Sequence, residues 1–287
     1  MIAGLTATAQ TAFANLILAG GDPISHVVPH KLSSDEASFW HYVTNHMFMM
    51  VLAGFLLLIG ATIAARQKSL VPTGFRNFME SILQFIREEV ARPALGKDTD
   101  TFIPFLWTMF FLILTANLLG MIPLTDIGML ATQNPGLHLG GTATGNFGIT
   151  VGLAIAAFLL FHISGVRKLG FGHYSKHLLL GHGPWWLAPL FIPIELMGAV
   201  VKPFALAIRL FANMTGGHIV VAVLLGFAVT GVEAAMNGSV GMLGVTAAAG
   251  FGAVAINLLE IFVSFLQAYI FTFLTALFLG AAIHPDH

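Results

Sequence analysis

The chain has 287 residues, 57% of them hydrophobic and only 9% charged, with a mean hydropathy of +0.87. Soluble domains carry about 25% charged residues, so this composition is that of an integral membrane protein. The net charge of −1 rules out electrostatic binding to nucleic acid as the main activity, and the absence of cysteine removes disulfides, thiolate metal sites and cysteine nucleophiles.

Residues 1–40 form an N-terminal extramembrane segment, and the membrane domain takes up 41–287. The short apolar run 12–19 has no Lys or Arg before it, so it lacks the basic start of a secretory signal and is expected to lie at the surface. A span of ~30 Å needs about twenty apolar residues. The first such run is 47–65, closed by Arg66, Gln67 and Lys68. Next comes a different pattern over 73–91. Phe75, Phe78, Met79, Ile82, Leu83, Ile86 and Val90 recur at helical spacing, opposite Arg76, Asn77, Glu80, Gln84, Arg87, Glu88 and Glu89. This predicts an amphipathic helix on the membrane surface, bracketed by Pro72 and Pro93.

The second and third spans are 102–123 and 147–166, the third closed by Arg167 and Lys168. Two much longer runs follow, 187–230 and 242–282. Forty-odd helical residues extend about 60 Å, twice the hydrocarbon thickness. Each run is therefore a tilted or bent helix or a pair of segments, and Pro189, Pro193 and Pro203 offer bending points in the former. The fold class is all-α: five membrane-embedded helices and one surface helix, the last two helices forming a long antiparallel hairpin.

Basic residues in short loops set orientation. Arg66, Lys68, Arg76, Arg87, Arg92 and Lys97 separate spans one and two; Arg167, Lys168 and Lys176 separate spans three and four. Loops 124–146 and 231–241 contain no Lys or Arg. The N-terminus is thus expected outside and the C-terminus inside. No internal repeat is evident.

The chemistry concentrates on the last two helices. Arg209 is the only basic residue after Lys202 and lies deep in an apolar run. A charge at the bilayer centre costs ~2.5–3.5 kcal/mol on insertion scales, and such a residue normally serves ion movement, counter-ion binding or ligand binding. Glu195, Lys202, Asn213 and His218 accompany it, and Asn257, Glu260, Ser264 and Gln267 occupy the following helix. Antiparallel alignment places Gln267 near Arg209 and Glu260 near His218. A carboxylate beside an imidazole suits proton relay. At 100° per residue, Glu195, Lys202, Arg209 and Asn213 fall within about 40° of one another, edged by Gly198, Ala205 and Gly216. Small residues allow close helix approach, so this stripe reads as a contact line for partner helices. His218 falls on the opposite face. Either Gly216 and Gly217 bend the helix, or the histidine serves a separate cavity.

Plainer readings stand beside these. Arg209 neutralises Glu195 or Glu260 as a buried pair; His218 and Glu260 form a packing hydrogen bond, two ligands being too few for a closed zinc site; Lys202 snorkels to the inner surface; Glu233 is a solvated loop acid. His26, His30, His41, His46, His173, His177, His182, His284 and His287 cluster near loops and termini and are expected at the surface.

Pro203, Arg209, Leu210, Phe211, Asn213 and Met214, with His218 nine residues after the arginine, resemble the signature of subunit a of F-type ATP synthases. Segments 116–123, 192–195 and 266–271 are also similar to family segments, and the likeness runs from about Trp40 to His284. The resemblance implies a non-catalytic stator subunit that gives protons two aqueous half-channels to and from the carboxylates of a c-subunit ring. By position, Arg209 separates the channels, flanked by Asn213 and Gln267. His218 and Glu260 line the outer access path, in the His-then-Glu arrangement of mitochondrial and many bacterial members, and Glu195 lines the inner one. It implies b-type peripheral stalk subunits and the remaining synthase subunits as partners, no cofactor or metal, and a bacterial inner membrane, with the mitochondrial inner membrane as the alternative. No G-x-x-x-x-G-K-[ST] motif occurs, so ATP chemistry is assigned to partners. Two other readings are a secondary transporter, which inverted repeats would mark, and a haem protein, for which His162 and His218 are the only histidines well inside spans.

Overall fold

The structure, a computed structural model, describes residues 44–66, 74–122, 124, 140–180 and 188–284. The N-terminal segment 1–40 and most of loop 124–146 lie outside the described residues. Five helices are long and apolar enough to cross a membrane, and no strand occurs among the described residues. An isolated span must satisfy its backbone internally, which helices do.

α1 (Asn45–Arg66) is the first span. α2 starts at Phe75–Phe85, passes through a π-helical turn, Ile86–Ala91, and ends as Arg92–Leu95. Phe75, Phe78 and Phe85 are largely exposed, Met79, Ile82 and Leu83 pack half-buried against the bundle core, and Ile86, Val90 and Leu95 are fully buried, so α2 docks more deeply along its second half. Pro93 does not end this element as expected. Arg92 donates its N–H to the Arg87 carbonyl five residues back, and a wide turn relieves the clash a proline ring makes with the carbonyl at i−4.

α3 (Thr99–Gly120) and α4 (Phe147–Leu169) are the next spans, followed by the short α5 (Phe171–Leu180). α6 (Ala188–Met236) is one continuous helix of 49 residues that contains Pro193 and Pro203, and α7 (Met242–Ile283) has 42. Because α6 runs on to Met236, Glu233 is an exposed helical residue rather than a loop acid. α6 and α7 pack along each other; α7 also rests on α3 and α4, and α1 leans on α3. Leu106 and Ile113 of α3, Leu206 and Leu210 of α6, and Phe271, Leu279 and Ile283 of α7 fill the shared core.

The ends on the expected inner side are tied by charge. Asp98, in the turn before α3, bonds to Lys168 at the end of α4 and lies 2.9 Å from His284 Nε2 just beyond α7. The hydrogen bond from the Lys168 ammonium holds the Asp98 carboxyl below its usual range.

Candidate functional site

Two contacts fix the register of the α6–α7 hairpin. Asn213 Nδ2 donates to Gln267 Oε1 at 3.0 Å, and His218 Nδ1 lies 3.5 Å from Glu260 Oε1. The five-residue step on α6 and the seven-residue step on α7 run in opposite directions, as antiparallel helices require. The face α7 turns inward carries Ala249, Ala253, Glu260, Ser264, Gln267, Ala268 and Phe271, all buried. Small and polar residues thus share one stripe, and the small ones let α6 come close enough to meet the polar ones.

Arg209 sits elsewhere. Its side chain is exposed, and so are Lys202, Ala205, Ala212, Asn213 and Gly216 along the same stripe. A Cβ built on Gly198 or Gly216 meets nothing within 4 Å. The small-residue line predicted to receive partner helices is therefore open among the described residues. Exposed Phe204 (52%) and Ile208 (40%) flank it. Among the described residues, no ion pair or hydrogen bond engages Arg209. Gln267 is held by Asn213, about one helical turn from the arginine, rather than bonded to Arg209 itself. The side chain of Glu195 lies outside the described residues, although its backbone belongs to α6. Lys202 Nζ lies over the Phe278 ring, 5.3 Å from its centroid, a cation–π contact where snorkelling to the surface was the plainer expectation.

His218 faces into the bundle. Its Nε2 donates to the Gly120 carbonyl at the end of α3, 3.2 Å away, while its Nδ1 turns to Glu260, which is only 7% exposed. The chemistry follows from the carbonyl. It accepts only, so Nε2 keeps its hydrogen and Nδ1 is left facing the carboxylate, an acid–base pair that can share one proton. At 3.5 Å the contact is longer than a working hydrogen bond, so transfer needs a closure of about half an ångström or one bridging water. A proton waypoint is what such a pair offers.

The sequence reading missed three supports of this pair. Gly217 lets the Glu260 carboxylate lie against α6, for an added Cβ would stand 2.2 Å from Oε1. Gly120 lets Thr142 cross α3, where a Cβ would stand 1.9 Å from the Thr142 methyl. His46, expected at the surface, is fully buried and donates from Nδ1 to the Thr142 carbonyl at 2.7 Å. Its neighbour Asn45 bonds to the Gly140 carbonyl at 2.8 Å. The sequence places His46 at a span end, but nothing in it foretells the return of residues 140–145 over that end. Of the other expected surface histidines, His173 is exposed and His284 half-buried; His26, His30, His41, His182, His287 and the His177 side chain lie outside the described residues. His162 is bonded to the Tyr174 hydroxyl at 2.6 Å and does not approach His218 in any described contact.

A family model described as ATP synthase A chain matches residues 47–280. The chain is 44% identical over 251 residues to the ATP synthase subunit a of Anaeromyxobacter dehalogenans (strain 2CP-C), an alignment covering 85% of this chain and 59% of that one. It is 40% identical to the ATP synthase subunit a of Myxococcus xanthus (85% and 76% covered) and 38% identical to ATP synthase subunit a 2 of Chlorobaculum tepidum (92% and 70% covered). The chain thus spans about three-fifths of the length of the Anaeromyxobacter relative and a larger share of the other two.

Proposed function

This chain belongs to the ATP synthase A chain family, and from that membership we propose that it is the proton-carrying stator subunit of an F-type ATP synthase. The observation that carries the reading is the split of polar groups between two faces of α6. His218 and Glu260 are gathered inside the bundle, whereas Arg209 stands on an open apolar face with no described partner.

A proton arriving from the outer side passes through the His218–Glu260 pair and descends between α6 and α7 to the level of Asn213 and Gln267. There it protonates a carboxylate on a ring of c subunits packed against the open face. The neutral carboxyl travels through lipid, where its ionised form would suffer a large desolvation penalty. It releases its proton on the inner side, along a path that includes Glu195. Arg209 stands between the two paths. Its guanidinium is effectively always protonated, so it favours an ionised rotor carboxylate and cannot relay a proton itself. One proton crossing 100 mV yields ~2.3 kcal/mol, so several must be combined for each ATP, and a rotating ring does this. The relatives point to a bacterial plasma membrane, and a b-type stalk and the remaining synthase subunits complete the assembly.

The test is Arg209→Ala in vesicles holding equal amounts of assembled complex. Coupled ATP synthesis is expected to fail while passive proton flux persists or rises, because nothing then separates the two paths. Arg209→Lys is expected to fail substantially too, since a deprotonatable ammonium lacks the planar, permanently charged fork. Loss of assembly in the Ala variant together with good function in the Lys variant favours a purely structural arginine. Wild-type coupling in the Ala variant refutes the separator role.

A further inference from the structure

The last carbonyls of an α-helix have no donor within the helix, and α3 meets this in two ways. A tight final turn closes two of them: the Met121 N–H donates to the Leu118 carbonyl and the Ile122 N–H to that of Leu119, each at 3.2 Å. The Gly120 carbonyl comes next, and it takes the hydrogen of His218 Nε2. Where that carbonyl stands therefore bears on the acid–imidazole pair, and its place is set by residues outside the α6–α7 hairpin.

Segment 140–145 crosses between α1 and α3 and is held on both sides. On α1, Asn45 Nδ2 donates to the Gly140 carbonyl at 2.8 Å and His46 Nδ1 to the Thr142 carbonyl at 2.7 Å. On α3, the Thr144 hydroxyl donates to Asn117 Oδ1 at 2.6 Å. Thr142 lies so close to Gly120 that a Cβ there would stand 2.7 Å from the threonine Cα. Asn45, His46, Asn117, Thr142 and Thr144 are each no more than 5% exposed. Ala143 joins Met49 and Ala53 of α1 and Ala116 and Leu119 of α3 in a small apolar core of their own. Buried hydrogen bonds are costly to leave unmade, so this network holds its members in place. Asn117 and Gly120 are about one helical turn apart, and what the network grips is the last turn of α3.

We propose that segment 140–145, clamped between Asn45 and His46 on one side and Asn117 on the other, is a positioning device that fixes the Gly120 carbonyl and so decides which hydrogen of His218 is mobile. This rests on the proton-carrying reading above. The hydrogen bond made by one imidazole nitrogen sets the state of the other, and a carbonyl only accepts. With Nε2–H held, Nδ1 takes the proton of the Glu260 carboxyl and later returns one. The pair passes between carboxyl–imidazole and carboxylate–imidazolium, and total charge is unchanged. The His218–Gly120 contact of 3.2 Å is at the long end for N–H···O, so a retreat of the carbonyl by about half an ångström breaks it. The ring can then lose the Nε2 hydrogen instead. Its Nδ1 keeps a hydrogen towards Glu260 and no longer accepts one, and transfer stalls. Asn45, His46 and Thr144 thus act through His218 without meeting the travelling proton.

The experiment uses vesicles bearing equal amounts of assembled complex with the catalytic sector stripped away. It reads passive proton flux, and it reads the neutral tautomer of His218 from nitrogen-15 and carbon-13 spectra of labelled histidine at alkaline pH. The His218 signals are identified by their loss in His218→Gln. Thr144→Val keeps shape and removes the hydroxyl, whereas Thr144→Ser keeps it. From the α1 side, His46→Leu removes the donor and His46→Asn keeps one. Thr144→Val and His46→Leu are expected to lose about two- to tenfold in flux, the ratio a single neutral hydrogen bond sustains. Both are expected to show the two tautomers mixed, where the wild type shows Nε2–H alone. Thr144→Ser and His46→Asn are expected to recover most of the flux and the single tautomer. A flux loss with Nε2–H unchanged overturns the proposal, as does a mixed tautomer with wild-type flux. An equal loss in the donor-keeping variants marks the segment as packing only and overturns it too. His218→Ala, run alongside, keeps the two readings apart. If it conducts like wild type, the proton-carrying reading fails; if it is blocked while Thr144→Val and His46→Leu match the wild type in flux and tautomer, only the clamp fails.

Discussion

Replacing Gly217 by Ala isolates the geometry of the acid–imidazole pair. The new Cβ stands 2.2 Å from Glu260 Oε1, 2.9 Å from Cδ and 3.0 Å from Cγ, where ordinary contact begins at 3.4 Å. The carboxylate must therefore retreat by about 1.2 Å, and the clash with Cγ means that turning the tip alone does not relieve it. A retreat of that size away from α6 takes the 3.5 Å His218–Glu260 contact beyond the ~4 Å within which an ion pair is counted. Overpacking of this kind costs about 1–3 kcal/mol, which is about five- to 150-fold in an equilibrium. Helix propensity works the other way, because Ala is better than Gly by about 0.5–1 kcal/mol. The assay is passive proton flux at equal assembly, read beside the thermal stability of the complex. Flux is expected to fall several-fold, with a stability loss no larger than the ~1–3 kcal/mol of overpacking less the propensity gain. Gly226→Ala brings the same propensity gain with nothing within 4 Å of its Cβ and is expected to conduct normally. Adding Glu260→Asp to Gly217→Ala shortens the acid and is expected to restore part of the flux. Wild-type flux in Gly217→Ala refutes the argument that the carboxylate works from its place against α6.

The remaining expectations concern the pair and the orientation. In a double-mutant cycle, His218→Ala and Glu260→Ala are expected to be strongly non-additive, since groups in one network couple by ~0.5–3 kcal/mol; losses that simply add sink the shared-proton assignment. Exchanging the two residues is expected to harm flux less than deleting either, provided the exchanged complex assembles to the wild-type level. For orientation, the chain has no native cysteine, so Lys68→Cys and Lys176→Cys are expected to react with an impermeant thiol reagent only after permeabilisation. Asn237→Cys, in the α6–α7 turn, is expected to react in intact cells, and the reverse pattern refutes the N-terminus-outside arrangement.

The spans were legible because apolar length and bounding charges are one-dimensional signals. The run closed by Arg66 and Lys68 is α1, and that closed by Arg167 and Lys168 is α4. The opposed faces of α6 were legible too: nine residues at 100° each put His218 half a turn from Arg209. The structure keeps that opposition, with His218 turned to α7 and α3 and Arg209 left open, so no bend at Gly216 or Gly217 is needed to explain the pair. Other features depend on what another element brings. The burial of His46 depends on the return of residues 140–145, the role of Gly217 on where α7 places a carboxylate, and the passage of α2 through Pro93 on a π-helical turn with no compositional mark. The register was the intermediate case. Spacing brought Glu260 to His218 and set Gln267 at the level of Arg209; the packed hairpin adds the bond from Gln267 to Asn213, one turn from the arginine.

The placement of the arginine has a physical consequence of its own. A polar group inside an apolar bundle is tolerated when neighbours satisfy it, and His218, Glu260 and Gln267 follow that rule in part, each with at least one described contact. A permanently charged group on an apolar face is tolerated only beside water, headgroups or an opposite charge from a partner. Arg209 lies near the middle of a 49-residue helix, inside an apolar run, and water admitted along the open stripe or an acid presented by whatever packs there would satisfy it. Both belong to the proposed rotor interface: the stripe of Gly198, Ala205 and Gly216 leaves room for a helix to approach, and the guanidinium gives that helix a reason to carry a carboxylate at the same depth. A partner whose buried helix offers no acid at that level leaves the guanidinium to water alone, and crosslinking from Ala205→Cys or Ala212→Cys to cysteines placed beside the partner's acid reads that depth directly.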